Sequence, residues 1–209
     1  MKMVDKVEAM RRRERAAQAR AQARQQERRR RLIRSGLITA SALVAAGGLT
    51  AAALAAGGGG STAKIDGVRS FGHLSRNHVQ GTVKYAQNPP AGGDHSPIWL
   101  NCGIYDKPVP NENAVHDMEH GAVWITYRPG LPAAQLAALK ATAGKTTFVD
   151  LSPYPGLPSP IVISAWGKQL ALQKADDPRL AAFVSAYRQG PQTPEPGAPC
   201  TGGIGTPAE

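Results

Sequence analysis

Four of the chain's five histidines fall between His78 and His120, and the densest group is the run His116-Asp117-Met118-Glu119-His120. In an extended backbone, residues two apart share a face, so His116, Met118 and His120 would set a thioether between two imidazoles. That donor set is copper-like: imidazole serves Cu(II) and zinc, and a soft thioether draws Cu(I). His95, at the end of a Gly-rich loop, and His78 are placed to complete it. On this reading Glu119 points to the opposite face, toward Arg128 or a loop amide.

The same run read as a helix has the order H-x-x-E-H of inverted zinc peptidases, with His116 and His120 as ligands and Glu119 as general base. A third ligand is then required, and Glu195 lies in a Pro/Gly-rich stretch poorly suited to supply one. Gly121 would also end such a helix at once. A third possibility is that the cluster only hydrogen-bonds within the fold, Asp117 or Glu119 pairing with His95 or Arg128, as in a structural or assembly module of a membrane complex. His73 reads as a solvated histidine and Trp99, Trp124 and Trp166 as core aromatics. No Ser-His-Asp order, phosphate loop or dinucleotide fingerprint is present.

The elements that must position these residues begin late in the chain. Of a formal net charge of +10, residues 1–34 carry +9, from 13 Lys or Arg against four acids. This arm is rich in Ala, Arg, Gln and Glu, which favour helix. The rest is nearly neutral, so charge gives no support for nucleic-acid binding. Residues 35–56 then run without a charge, long enough as a helix to reach across a bilayer. The arginines before them predict a cytoplasmic N-terminus and an exported C-terminal domain. A cleaved signal peptide, with the pair Arg29-Arg30 ahead of an Ala/Gly-rich core, predicts export of the same domain. The expected organisation is a basic cytoplasmic helix (1–34), a membrane signal-anchor (35–56), a Gly-rich linker (57–63), an extracytoplasmic domain (64–190) and a Pro/Gly-rich tail (191–209).

Within the domain, residues 67–120 are rich in Gly, Pro, Asn and His and read as extended segments and turns. Ala122–Tyr127, Thr146–Leu151 and Ile161–Trp166 read as strands. Leu131–Ala141 and Pro178–Arg188 read as helices. The order strand, helix, strand, strand, helix predicts a small α+β domain with a mostly antiparallel sheet and helices on one face. Cys102 and Cys200 both follow the apolar segment, where an oxidising compartment favours pairing. A bridge closing that loop would stabilise the fold by roughly 4–5 kcal/mol in the chain-entropy model.

The stretch from His78 to Pro129 holds Pro89-Pro90, Gly93, His95, Trp99, Asn101-Cys102-Gly103, Tyr105, Glu112-Asn113, His116, Glu119-His120-Gly121 and Tyr127-Arg128-Pro129. In these residues it resembles the core of a bacterial family known only as domain of unknown function 3105. The resemblance implies an anchored extracytoplasmic protein and no activity. The function expected from the residues is therefore extracytoplasmic binding of copper, with zinc as the alternative ion, through His95, His116, Met118 and His120 with His78 outermost.

Overall fold

The computed structural model describes residues 64–208, so the expected basic arm, signal-anchor and linker lie outside the described residues. Five strands form one sheet: β1 (Arg69–Ser70), β2 (Val123–Tyr127), β3 (Val149–Pro153), β4 (Ile161–Ala165) and β5 (Lys168–Leu172). Their spatial order is β1-β5-β4-β2-β3. Only β2 and β3 run parallel, and the other pairs are antiparallel. The three helices are α1 (Asn111–Glu119), α2 (Ala133–Ala143) and α3 (Pro178–Tyr187). None of the helices among the described residues is long and apolar enough to cross a membrane.

The parallel pair follows from its connection, because α2 carries the chain back over the sheet so that β3 can start beside the start of β2. Alternation along β2 then separates two cores. Val123, Ile125 and Tyr127 join Leu139 of α2 and Leu180, Phe183 and Val184 of α3 in the larger one. Trp124 points the other way, into a cluster with Ala114, Val115 and Met118 of α1 and with Trp166. Helices therefore cover both faces, where one covered face was expected. The reason is α1, a helix in a stretch expected to be extended.

Helix α1 starts behind Pro110, whose extended backbone (φ −61°, ψ 130°) turns the chain into it, and Glu112 in its first turn faces the positive helix end. Its stop is Gly121, at φ 102°, a conformation that costs glycine little. A Cβ there would lie 3.1 Å from Gln189 Cα and from Thr193, so this glycine also lets the C-terminal segment close over the helix end. That segment, expected as a tail, packs along the domain. Gln189 N donates to Gly121 O (2.8 Å), Glu195 N to Glu119 O (3.0 Å), Cys102 N to Cys200 O (2.9 Å) and Asn101 N to Ile204 O (2.8 Å). Cys102 and Cys200 are bonded as expected, with Cα atoms 5.4 Å apart.

Candidate metal centre

Because α1 is helical, side chains four apart meet on one face, and those two apart do not. His116 and His120 meet, their Nε2 atoms 2.9 Å apart. Met118 is fully buried in the apolar cluster under the sheet, packed with Ala114, Val115 and Trp124. The thioether expected between two imidazoles thus belongs to the core side of the helix. Glu119, expected to face away toward Arg128, instead lies with the histidines: its Oε2 is 3.0 Å from His95 Nε2 and 3.8 Å from His78 Nε2. Arg128 donates to Leu157 O.

The loop that brings His95 in is strapped along α1. Glu112 O accepts from Ser96 N, Asn113 Nδ2 donates to Ile98 O (2.6 Å), and Asp117 Oδ1 accepts from Leu100 N (3.0 Å). His78 enters on an isolated bridge beside His95, with Val79 N donating to His95 O and His95 N to Asn77 O. His78, His95, His116 and Glu119 each offer a ligand atom, all within 4.8 Å of one another. Apart from His78, whose side chain is 47% exposed, the group is buried. Trp166 stands edge-on to His95, and Trp99, half-buried, packs against His116 and His120. Trp99 therefore walls the site, where a core role was expected.

The protons on these rings are fixed by what the rings face. His95 Nδ1 lies 2.8 Å from Gly93 O, His116 Nδ1 2.6 Å from Ser96 O and His120 Nδ1 2.6 Å from Pro199 O. A carbonyl oxygen can only accept, so each Nδ1 carries the hydrogen, and in a neutral ring each Nε2 is a bare lone pair. The lone pairs of His95 and His116 lie within 4.8 Å of each other and of the Glu119 carboxylate, and His120 Nε2 joins this group through His116, outside that mutual distance. His95 Nε2, on a fully buried ring, has no hydrogen-bond partner, and its contact with Glu119 lacks hydrogen-bond alignment. Two Nε2 atoms at 2.9 Å repel unless a cation lies with them. A proton is a poor choice: burial, reinforced by the neighbouring imidazoles, lowers the pKa of His116 to about 4. Burial lowers that of His120 as well. Such an arrangement could hold a metal ion, since ligating histidines typically donate their other N–H to a carbonyl or carboxylate.

Glu195 comes within 3.8 Å of His120 Nε2 from the exposed side, held there by the packing of the C-terminal segment. Sequence reasoning discounted it because a Pro/Gly-rich run by itself holds nothing rigidly. A second buried polar group lies beside Asp117. Asp117 and Asp150 are both fully buried, and Cys102 Sγ is 3.9 Å from a carboxyl oxygen of each. Burial raises both acids, Asp150 to about 7, with the neighbouring carboxyl raising Asp117 further. Gly103 N donates to Asp150 Oδ1 (3.1 Å). The sulfurs of this group are tied up in the disulfide, and nothing in the sequence pattern announced the acid pair.

Residues 78–202 match a family model described as "Protein of unknown function (DUF3105)", a span that is more than half of the chain and contains every residue of the cluster. No curated protein and no solved structure matches the chain.

Proposed function

The chain belongs to this family of unknown function, and from that premise we propose that it is an extracytoplasmic, membrane-anchored metal-binding protein that holds a divalent copper ion. His95, His116, His120 and Glu119 are the ligands, and His78 stands at the exposed edge. The observation that carries this is three buried imidazoles, each with Nδ1–H on a backbone carbonyl, of which His116 sets its bare Nε2 2.9 Å from that of His120 and within 4.8 Å of ligand atoms of His95, His78 and Glu119. With Met118 in the apolar cluster, the donors are imidazole nitrogen and carboxylate oxygen. Such a set has no soft atom to favour Cu(I), and among divalent ions it binds Cu(II) more tightly than Zn(II). The burial of the ligands suits holding an ion more than admitting a substrate to it. The anchor and the export rest on the arginine-rich arm before the uncharged segment and on the disulfide of the domain.

The test is metal titration of the purified full-length chain against a chelator of micromolar affinity, with elemental analysis and electron paramagnetic resonance. One Cu(II) per chain with nitrogen couplings is expected, and weaker uptake of Zn(II) at the same site. Failure to take up either ion above micromolar competition would sink the reading. Reporter fusions after Gly60 that are active only in the cytoplasm would sink the export.

The helical H-x-x-E-H geometry favours one further reading, a zinc hydrolase with Glu119 as base. Glu119→Gln separates the two. In a hydrolase the variant keeps its metal and loses peptide or ester turnover, whereas in a binding site it loses affinity.

A further inference from the structure

The C-terminal segment meets the cluster at Glu195, whose Oε2 lies 3.8 Å from His120 Nε2, and at the carbonyl of Pro199. Pro199 O accepts from His120 Nδ1 at 2.6 Å and so sets both the tautomer and the direction of His120 Nε2. Pro199 directly precedes Cys200, and Cys200 is bonded to Cys102. Cys102 in turn sits on the segment that α1 holds from the other side, through Leu100 N on Asp117 Oδ1 and with Cys102 Sγ 3.9 Å from Asp117 Oδ2. A closed path therefore runs from His120 through Pro199, the disulfide and Asp117 back to the helix that carries His120. Other ties to this segment exist, at Glu195 N on Glu119 O and Cys102 N on Cys200 O, but none of them is covalent.

We propose that the Cys102–Cys200 disulfide is a positioning element of the metal site: it fixes the Pro199 carbonyl that orients His120, so that the site reaches full affinity only when the bridge is formed. This rests on the metal-binding reading above and adds to it a thiol-redox control. Opening the bridge by an external dithiol, itself oxidised to a disulfide while both cysteines become thiols, leaves the donors of α1 in place. It frees the carbonyl, and the His120 ring can then turn or change tautomer. The loss is partial, because the remaining hydrogen bonds keep the segment nearby. Removing a group that orients a ligating histidine costs about 10–100-fold in metal affinity.

The experiment uses the full-length chain, with Zn(II) competed against a chromophoric chelator and the imidazole resonances followed by NMR. The double variant Cys102→Ser/Cys200→Ser removes the bridge without adding thiol ligands. Its affinity is expected to fall about 10–100-fold, with the His120 resonances no longer responding to Zn(II) while those of His95 and His116 still do. Pro199→Gly keeps the bridge and loosens the carbonyl, and a smaller loss of the same kind is expected, which preserves the test should the double variant fail to fold. Leu139→Ala destabilises the distant core and is expected to leave affinity within about twofold. Wild-type binding with unchanged affinity in the folded double variant, or in Pro199→Gly should the double variant not fold, overturns the inference and leaves the metal reading standing. An equal loss in Leu139→Ala overturns it too, since the effect would then be one of stability. Absence of Zn(II) binding by the wild type overturns the metal reading, and the inference with it.

Discussion

Two buried polar clusters flank the same helix turn, and they solve burial in opposite ways. On one side Asp117 and Asp150 lie together, take hydrogen bonds from Leu100 N and Gly103 N, and retain a proton because burial raises both. Protein groups alone satisfy that cluster, and it clamps the loop that carries Cys102. On the other side three imidazoles spend their N–H groups on carbonyls outward and present lone pairs inward, where burial keeps His116 and His120 from taking a proton. The difference teaches that a buried cluster of titratable groups is not by itself a site. What marks a site is a set of acceptors facing one another with no donor among them.

The largest separation of the two clusters is expected from Asp150→Ala. It leaves Gly103 N and Asp117 without their partner and removes buried atoms, and should cost about 3 kcal/mol of stability in a denaturant melt. Metal affinity of the folded fraction should hold, and a parallel loss of both would merge the clusters into one. His116→Ala should act the other way round, lowering Cu(II) and Zn(II) affinity by at least about 100-fold with a smaller effect on the melt. Full metal binding by that variant would mean that the imidazoles are not the ligands.

The clusters should also respond to pH with opposite sign when metal is stripped by chelator. Asp150 is raised to about 7 from 3.8, so across that window the folded state keeps a proton that the unfolded chain has lost, and stability falls as pH rises. His116 is lowered to about 4 from 6.5, so across its window the unfolded chain holds the extra proton, and stability rises with pH. Each group contributes at most about 1.4 kcal/mol per pH unit. Between pH 4 and 6.5 the two slopes oppose. Asp150→Asn should unmask the rise and His116→Gln the fall, and identical profiles for both variants would erase the comparison. The smallest effect is expected for Met118→Leu, within about 1.5 kcal/mol in stability and without change in metal affinity. A selective loss of Cu(I) binding there would restore Met118 as a ligand.

The sequence announced the apolar elements better than the polar one. The segment Ala122–Tyr127 is β-branched and aromatic, and β2 forms within it. The leucines of 131–141 mark α2, although it sits two residues further on, and Asp177-Pro178 marks the start of α3, where Asp177 caps Arg179 N. Strand β5 was missed because Lys168–Leu172 is made of residues that also favour helix. Its pairing depends on the turn at Gly167 that folds it back on β4. Helix α1 stood only as the alternative to an extended reading of the run His116–His120, for a deeper reason. From Asn113 to Glu119 every residue is buried, polar ones included, so the helix has no solvent face, and only Ala114, Val115 and Met118 mark its apolar side within a run of polar residues. Its legible signals were Pro110 ahead, the four-residue spacing of His116 and His120, and Gly121 behind. The last of these marked where the helix stops and did not argue against one. The histidines themselves were identifiable by type and clustering, whereas the place of Glu119 among them and of Met118 outside depended on the backbone period.

The contact between Pro199 O and His120 joins residues 79 positions apart, and the bridge beside it spans 98. A chain is made from its N-terminus onward, so all five strands and the whole of α1 are synthesised before the group that orients the last imidazole exists. A product truncated between Leu172 and Pro199 would keep every residue of the sheet and still lack that group. Metal loading would thus report that synthesis had passed Pro199, a check on completeness that the sheet cannot supply.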